Sequence, residues 1–148
     1  MVEFAISFLL FITMVFGIIG FGLAIFSLNF IGNAAREGTR YAMVHGANCT
    51  SSGSSCALSS SQIASYVTGL APSGIINTAA LTVNVYCGAA GSTPPSGDCG
   101  QSTGGTPNDN PGNVVYVHVS YNFTFGLAIL IPVGPIPMTS ASERVIWQ

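Results

Sequence analysis

The sequence has no lysine, and charged residues make up only 5% of its 148 residues. An ordinary soluble domain has about a quarter of its residues charged, and these charges keep its surface soluble. A formal net charge of −2 without a basic patch argues against nucleic acid as a partner, because clustered lysine and arginine neutralise phosphates. Because so few of its residues are charged, we expect much of the surface to contact lipid or other protein.

Cysteine is scarce but present in an even number, and all four residues follow the apolar N-terminal run: Cys49, Cys56, Cys87 and Cys99. Their spacings do not match the C-x2-C pairs of structural zinc sites. An even count in short polar segments favours disulfides formed in an oxidising compartment over free thiols or a metal site. Connectivity is not fixed by sequence. Of the three possible patterns, local pairing of Cys49 with Cys56 and of Cys87 with Cys99 is favoured.

Residues 1–30 form an apolar run whose only charge is Glu3. The run can cross a hydrocarbon core of about 30 Å, which takes about twenty residues. It lacks the basic flank and cleavage box of a secretory signal. The arginines that follow it, Arg36 and Arg40, would place that end in the cytoplasm, whereas the cysteines require an oxidising side. This conflict suggests that the chain has lost a basic N-terminal leader.

No proline interrupts residues 1–46, and Gly46 suits a helix end. After the apolar run, two sets of residues lie on opposite faces of a helix: Ala34, Ala35, Gly38, Tyr41 and Ala42 on one, and Asn33, Arg36, Glu37 and Arg40 on the other. We predict one continuous helix over 1–46, followed by a disulfide-containing globular head over 47–148. The helix is longer than a bilayer requires, so its projecting half must pack on something.

Two features of the run predict contacts with other chains. Four small residues follow +3, +4, +3 spacing, which lets membrane helices approach closely: Gly17, Gly20, Ala24 and Ser27. The alternative is the ordinary tolerance of membrane helices for glycine. The carboxylate of Glu3 is costly in an apolar segment unless it reaches the interface from the helix end or pairs with a cation. The nearest plausible cation is a free N-terminal amine of another chain.

The rest of the chain predicts a short helix and three strands. Ser59 and Gln62 have capping-box spacing ahead of an apolar stripe. "ALTVNVYC" and "NVVYVHVSYNFTF" alternate apolar and polar residues as strands do, and "MTSASERVIW" is interpreted as a third strand. Residues 88–112, between the first two strands, are predicted to form an exposed polar loop. Residues 126–137, between the second and third strands, are predicted to form an apolar crossover. The fold class is α+β.

No pattern predicts catalysis. The sequence has neither a nucleophile elbow nor a phosphate-binding loop. His45 and His118 are isolated, and Asp98 and Asp109 suit turns. We therefore assign no catalytic, cofactor-binding or metal-binding residues, expect no cofactor, and do not expect an enzyme.

Two stretches of the sequence carry a family resemblance. The first is "VEFA" with the glycine-rich "FGIIGFG" and then "NAAREGTRYAMVHG"; the second is "VVYVHVSYNF" with "PMTSASERV". Both resemble the TadE-like proteins of tight-adherence (Tad) pilus systems. Together they cover about half of the chain. The resemblance implies a type IV pilin-like fold, with a long hydrophobic helix leading into a small head with an antiparallel sheet of about three strands.

The resemblance also implies specific partners. A prepilin peptidase removes the leader, and Glu3 matches the family glutamate that pairs with the freed amine of a neighbouring subunit, although it stands two positions early. Arg36, Glu37 and Arg40 could form ion pairs within or between subunits. Thr39 stands where the family commonly has alanine, and we expect it to be without consequence.

The expected function is that of a structural pilin. It would first reside in the bacterial inner membrane. The pilus machinery would then polymerise it with copies of itself into an extracellular filament that serves adhesion. The alternatives are a minor accessory pseudopilin and a bitopic membrane-anchored binding module that never assembles.

Overall fold

The computed structural model describes residues 2–51, 54–55, 57–91, 94–103, 106–125 and 134–147. Its first element is a single uninterrupted helix of 42 residues, α1 (Val2–Met43). No proline interrupts the helix, and Gly46 lies in the turn that follows it. The membrane-type run and the amphipathic stretch after it therefore form one rod.

The head contains two helices and seven strands within the described residues: β1 (Thr50–Ser51), β2 (Ser54–Ser55), α2 (Ser60–Gly69), a 3-10 helix (Thr78–Ala80), β3 (Leu81–Gly88), β4 (Ser102–Thr103), β5 (Thr106–Pro107), β6 (Val114–Phe123) and β7 (Ile136–Val145). The three long strands form one antiparallel sheet in the order β3-β6-β7. The short strands form two separate ribbons. The predicted α+β pilin-like fold is confirmed.

Helix α2 begins at the predicted capping box. The side chain of Ser59 accepts the backbone N–H of Gln62, and the Gln62 side chain accepts the backbone N–H of Ser59 at 2.9 Å. These two bonds satisfy amide groups that a helix start leaves without partners. Ile63 and Val67 are buried against the core. Local sequence chemistry thus sets where α2 begins and which face it buries.

The alternating strand pattern separates the two faces of the sheet. Central strand β6 buries every second side chain toward the helices: Val115, Val117, Val119, Tyr121 and Phe123. Its outer face carries partly exposed polar and aromatic residues: Tyr116, His118 and Ser120. The predicted third strand is confirmed, and it begins at Ile136, two residues before Met138. Only one face of the sheet therefore contributes to the core.

Helix α1 covers that inner face over β6 and β7, while α2 covers β3 and also contacts α1. The predicted inner face of α1 is buried through small residues: Ala34, Ala35, Gly38 and Ala42. At Gly38 the approach is closest. An added Cβ there would lie 2.6 Å from Cγ2 of Val67 and 3.2 Å from Cγ1 of Val117. Gly38 is thus the point where α1, α2 and β6 meet without room for a side chain.

A disulfide joins Cys87 to Cys99 with an S–S distance of 2.02 Å, which confirms this predicted pair. Cys49 is also disulfide-bonded. Its predicted partner, Cys56, lies outside the described residues.

The expectation of an exposed loop over 88–112 is wrong at four described positions, which are buried: Pro95, Cys99, Asn108 and Asp109. The disulfide holds the loop against β3, and the backbone N–H of Cys87 donates to the carbonyl of Gly97 at 2.8 Å. The Asn108 side chain donates to the carbonyl of Asp98 at 3.0 Å. Polar composition alone did not reveal these links. Of the predicted crossover over 126–137, residues 126–133 lie outside the described residues.

Replacing Gly38 with alanine should destabilise the head. The new methyl group would overlap the buried side chains of Val67 and Val117, and overpacking of this kind costs ~1–3 kcal/mol. Chemical unfolding of the detergent-solubilised protein, followed by near-UV circular dichroism, measures the effect. Gly32→Ala is the matched control, because its Cβ would meet only the Ser140 hydroxyl at 3.9 Å. Equal unfolding free energies for Gly38→Ala and wild type would contradict the packing described.

Candidate functional site

The first half of α1 has no cover from the head. Side chains from Glu3 to Ile19 are exposed apart from the partly buried Ile12, and these residues span about 26 Å at 1.5 Å per residue. The apolar window of the helix has a mean hydropathy of 2.6, and α1 is the one helix among the described residues that is long and apolar enough to cross a membrane. This N-terminal helix suggests membrane anchoring.

Glu3 lies in the first turn of α1 and is exposed. A carboxylate at this end of a helix interacts favourably with the positive end of the helix dipole. This interaction is local and does not replace an ion pair in an apolar environment. The partner predicted for Glu3 belongs to another chain, so the pairing stays a prediction.

Most of the small-residue stripe faces the head of the same chain. Ala24 and Ser27 are buried, and an added Cβ on Gly20 would lie 3.1 Å from Cδ1 of Phe125. Gly17, in contrast, has nothing within 4 Å of its Cβ position. In the structure, Gly20, Ala24 and Ser27 therefore pack within their own subunit. Their predicted part in contacts between subunits stays a prediction.

Phe123 and Phe125 mark the point where the head begins to cover α1. Their rings pack edge to face, with centroids 5.0 Å apart, and Phe125 lies over Gly20. On the uncovered side of α1, the apolar side chains of the next two turns stay exposed: Phe21, Leu23, Ile25, Phe26 and Leu28. This stretch of helix thus has the head on one side and bare apolar surface on the other. Sequence periodicity did not predict this contact, because the two phenylalanines lie about a hundred residues from Gly20 along the chain.

Thr39 is fully buried between α1 and β7. Its hydroxyl donates to the carbonyl of Arg36 at 2.9 Å, so the Ser142 hydroxyl, 3.2 Å away, is the donor in the bond between the two side chains. The expectation that Thr39 is without consequence is wrong. Its side chain links the helix to the edge strand, and a buried hydroxyl that loses its partner costs stability.

The predicted charged face of α1 is exposed and lines a groove of about 480 Å³. Arg36, Glu37 and Arg40 form the helix side of the groove, and Arg144 of β7 forms the strand side. Among the residues the structure describes, no ion pair joins these groups. Sequence analysis did not connect Arg144 with Arg36 and Arg40, because no periodicity relates a strand residue to a helix so distant in sequence.

In the part of the chain that the structure describes, His45 and His118 lie apart from each other and from any cluster of metal-binding side chains. The Nδ1 atom of His45 lies 2.7 Å from the carbonyl of Tyr41, which ties it to the end of α1. His118 lies on the outer sheet face beside Tyr116, with ring centroids 6.5 Å apart. Within the described residues, no group of three or more His, Cys, Asp or Glu side chains could hold a metal ion. The surface that remains as a candidate site is α1 with its groove.

Gly20 and Gly17 provide a matched pair for testing the docking of the head. Gly20→Leu should displace Phe125, and a cost of ~1–3 kcal/mol for overpacking corresponds to local opening that is more frequent by about 5- to 150-fold. Hydrogen exchange of the detergent-solubilised protein, read on peptides spanning 114–125, measures this opening. Gly17→Leu should leave that exchange unchanged. Identical exchange in both variants would show that the head does not dock at Gly20.

The comparisons with known proteins point to one family. The family model described as TadE-like protein matches residues 1–40 of the 148. A search of curated proteins and a search of solved structures each found no match. The match spans nearly the whole of α1, both its bare half and most of the half that the head covers. The resemblance seen in the sequence is thereby confirmed over residues 1–40, and it indicates a protein associated with the Tad pilus.

Proposed function

We propose that this chain is a structural pilin, which polymerises through α1 into an extracellular Tad-like filament that serves adhesion. The observation that carries this proposal is the bare apolar surface of α1, which continues alongside the head. Exposed apolar side chains extend as far as Leu28. From Glu3 to Leu28 the helix spans on the order of 39 Å, whereas the hydrocarbon core of a bilayer is about 30 Å thick.

A solitary anchor would leave part of this surface in water. The head starts to cover α1 at Gly20, yet Phe21 and Leu28 remain exposed on the opposite side. Burial of apolar surface is worth about 25 cal/mol per Å², which gives these side chains a strong tendency to find cover. Neighbouring copies of α1 in a filament core would cover the full length of the surface. The helix also continues to Met43, which does not favour a short-anchored binding module.

Glu3 has a specific role in this proposal. In a core of packed helices a lone carboxylate is unfavourable, and a neighbour's N-terminal amine would neutralise it. Such an amine becomes free when a prepilin peptidase removes a leader. The pair also sets the axial offset between neighbouring helices, because one subunit's Glu3 must lie level with the start of the next. Ion pairs of Arg36, Glu37 and Arg40 with neighbouring subunits would add to this register.

The head suits a position at the filament surface. Its outer sheet face presents Tyr116, His118 and Ser120, and its loops are rich in serine and threonine. The very low charge of the chain fits a surface that is partly buried between subunits. Before assembly the same subunit would be held in the inner membrane by α1, and the Tad pilus machinery would extract it.

A second candidate is a minor accessory pseudopilin in a filament built mainly from another pilin. Residues 1–40 match the model of TadE-like proteins, and the resemblance to that family implies an accessory role of this kind. The two roles differ in stoichiometry. In a structural role this chain accounts for nearly all of the filament mass, whereas an accessory protein accounts for a small fraction of it.

Replacing Glu3 with alanine should reduce the yield of sheared filaments by about tenfold or more, while the amount of protein in the membrane stays unchanged. Loss of one partner of a buried ion pair leaves the other uncompensated, at ~3–5 kcal/mol. Ser7→Ala, one turn along the same exposed stretch, is the matched control and should assemble normally. The measurement is the ratio of filament to membrane protein by quantitative immunoblot.

Filament yield from Glu3→Ala equal to that of wild type would rule out the pairing. A parallel loss in Ser7→Ala would instead trace the defect to the exposed helix surface in general, and would also count against a specific ion pair.

A further inference from the structure

All the lysine and arginine side chains of the chain come together in one place. There are three, and Arg36, Arg40 and Arg144 all line the groove between α1 and β7. A second groove of about 570 Å³ adjoins the first and shares Arg40 and Arg144 with it. We call the two together the arginine groove. The chain thus has all its arginine side chains at one edge of the sheet.

The arginine groove has an excess of positive charge. Glu37 and Glu143 also line it, which leaves three positive groups against two negative ones. In the part of the chain that the structure describes, none of the arginines forms an ion pair with either glutamate. A guanidinium group presents a planar fork of donors that suits a carboxylate or a phosphate. The groove is therefore built to accept an anionic group from outside the subunit.

A lipid phosphate fits this position poorly. The head covers α1 from Gly20 onward, and Arg36 lies sixteen residues further along, which is about 24 Å on a helix. The headgroup layer of a bilayer adds only about 5–8 Å on each side of the hydrocarbon core. The arginines consequently lie well beyond the membrane when the bare half of α1 spans it.

A second copy of the chain offers one suitable carboxylate. The chain has five acidic residues. Glu37 and Glu143 belong to the groove itself, Glu3 lies in the apolar half of α1, and Asp109 is only 3% exposed. The remaining one, Asp98, is exposed on the head.

The backbone at Asp98 is held rigidly. Its carbonyl accepts the Asn108 side chain at 3.0 Å and the backbone N–H of Gln101 at 3.3 Å. The next residue, Cys99, is in the disulfide with Cys87. A carboxylate on a fixed backbone loses little conformational entropy when it binds. The backbone that carries the Asp98 carboxylate is thus fixed before binding.

Asp98 and the arginine groove lie at opposite edges of the three-stranded sheet. Asp98 sits beside β3, since its neighbour Gly97 pairs with Cys87, and the groove lies beside β7, at the other edge. When copies meet edge to edge, a patch at one edge of the sheet meets the complementary patch at the opposite edge of the next copy. The two patches form a head-to-tail contact, which continues from copy to copy as an open filament.

We propose that the arginine groove of one subunit binds Asp98 of the next subunit, and that this contact joins neighbouring heads. The inference rests on the proposed filament function and adds the residues of one contact between the globular heads of neighbouring subunits. Arg144 is the groove residue best suited to a test, because it belongs to β7 and not to α1.

Charge reversal in the full-length chain, expressed with its assembly machinery, tests the contact. Asp98→Arg and Arg144→Asp should each lower the filament yield by about tenfold, and the double variant should recover to within about threefold of wild type. Gln101→Arg adds a positive charge to the same exposed loop and is the matched control. It should have a smaller effect, and Arg144→Asp should not rescue it.

Normal filament yield from both single variants, or failure of the double variant to recover, would overturn the contact while leaving the filament function intact. If the wild-type chain makes no filaments, the proposed function fails. Disulfide cross-linking then tests the contact between Asp98 and the arginine groove separately. Asp98→Cys combined with Arg144→Cys, oxidised in membranes, should give a ladder of cross-linked oligomers, whereas each single variant should give no more than dimers. Absence of the ladder would overturn the inference in that case.

Discussion

The rest of the structure depends on the close contact between α1 and the inner face of the sheet. Alanine and glycine on the helix let the valines of β6 approach, and at Gly38 the space is too small even for a methyl group. This contact fixes the direction in which α1 leaves the head. Because the helix has no break, its apolar half must project as a rigid rod. The molecule can therefore hide that half only in lipid or among other helices.

The same contact determines where charge is found. The polar side of α1 cannot face the sheet, so Arg36, Glu37 and Arg40 lie beside β7, where Arg144 joins them. At the other edge, the disulfide between Cys87 and Cys99 holds an acidic loop against β3. A chain with few charges thus has its three arginines at one edge of the sheet and the exposed Asp98 at the other. Such a distribution is suited to contacts that repeat from copy to copy.

Local patterns predicted much of the fold. Helical periodicity identified the buried and exposed faces of α1, the capping box located the start of α2, and alternation identified the long strands. Short spacing favoured the Cys87–Cys99 pair. Contacts between distant segments leave no such periodic signal. The position of Phe125 over Gly20, the bond from Ser142 to Thr39 and the approach of Arg144 to Arg36 could each be seen only in three dimensions. The sequence thus predicted the part of the candidate site that lies on α1, but not the residues of the head that pack against it.

The central claim is that the bare surface of α1 is covered by copies of the same helix. Cryo-EM of filaments sheared from cells that express this chain tests it most directly. The account predicts density that fits this chain in every subunit, with the exposed side of Phe21 to Leu28 packed against neighbouring α1 helices and a neighbour's N-terminus at Glu3. Filaments that fit only a different sequence, or a chain that remains entirely in the membrane fraction, would contradict it.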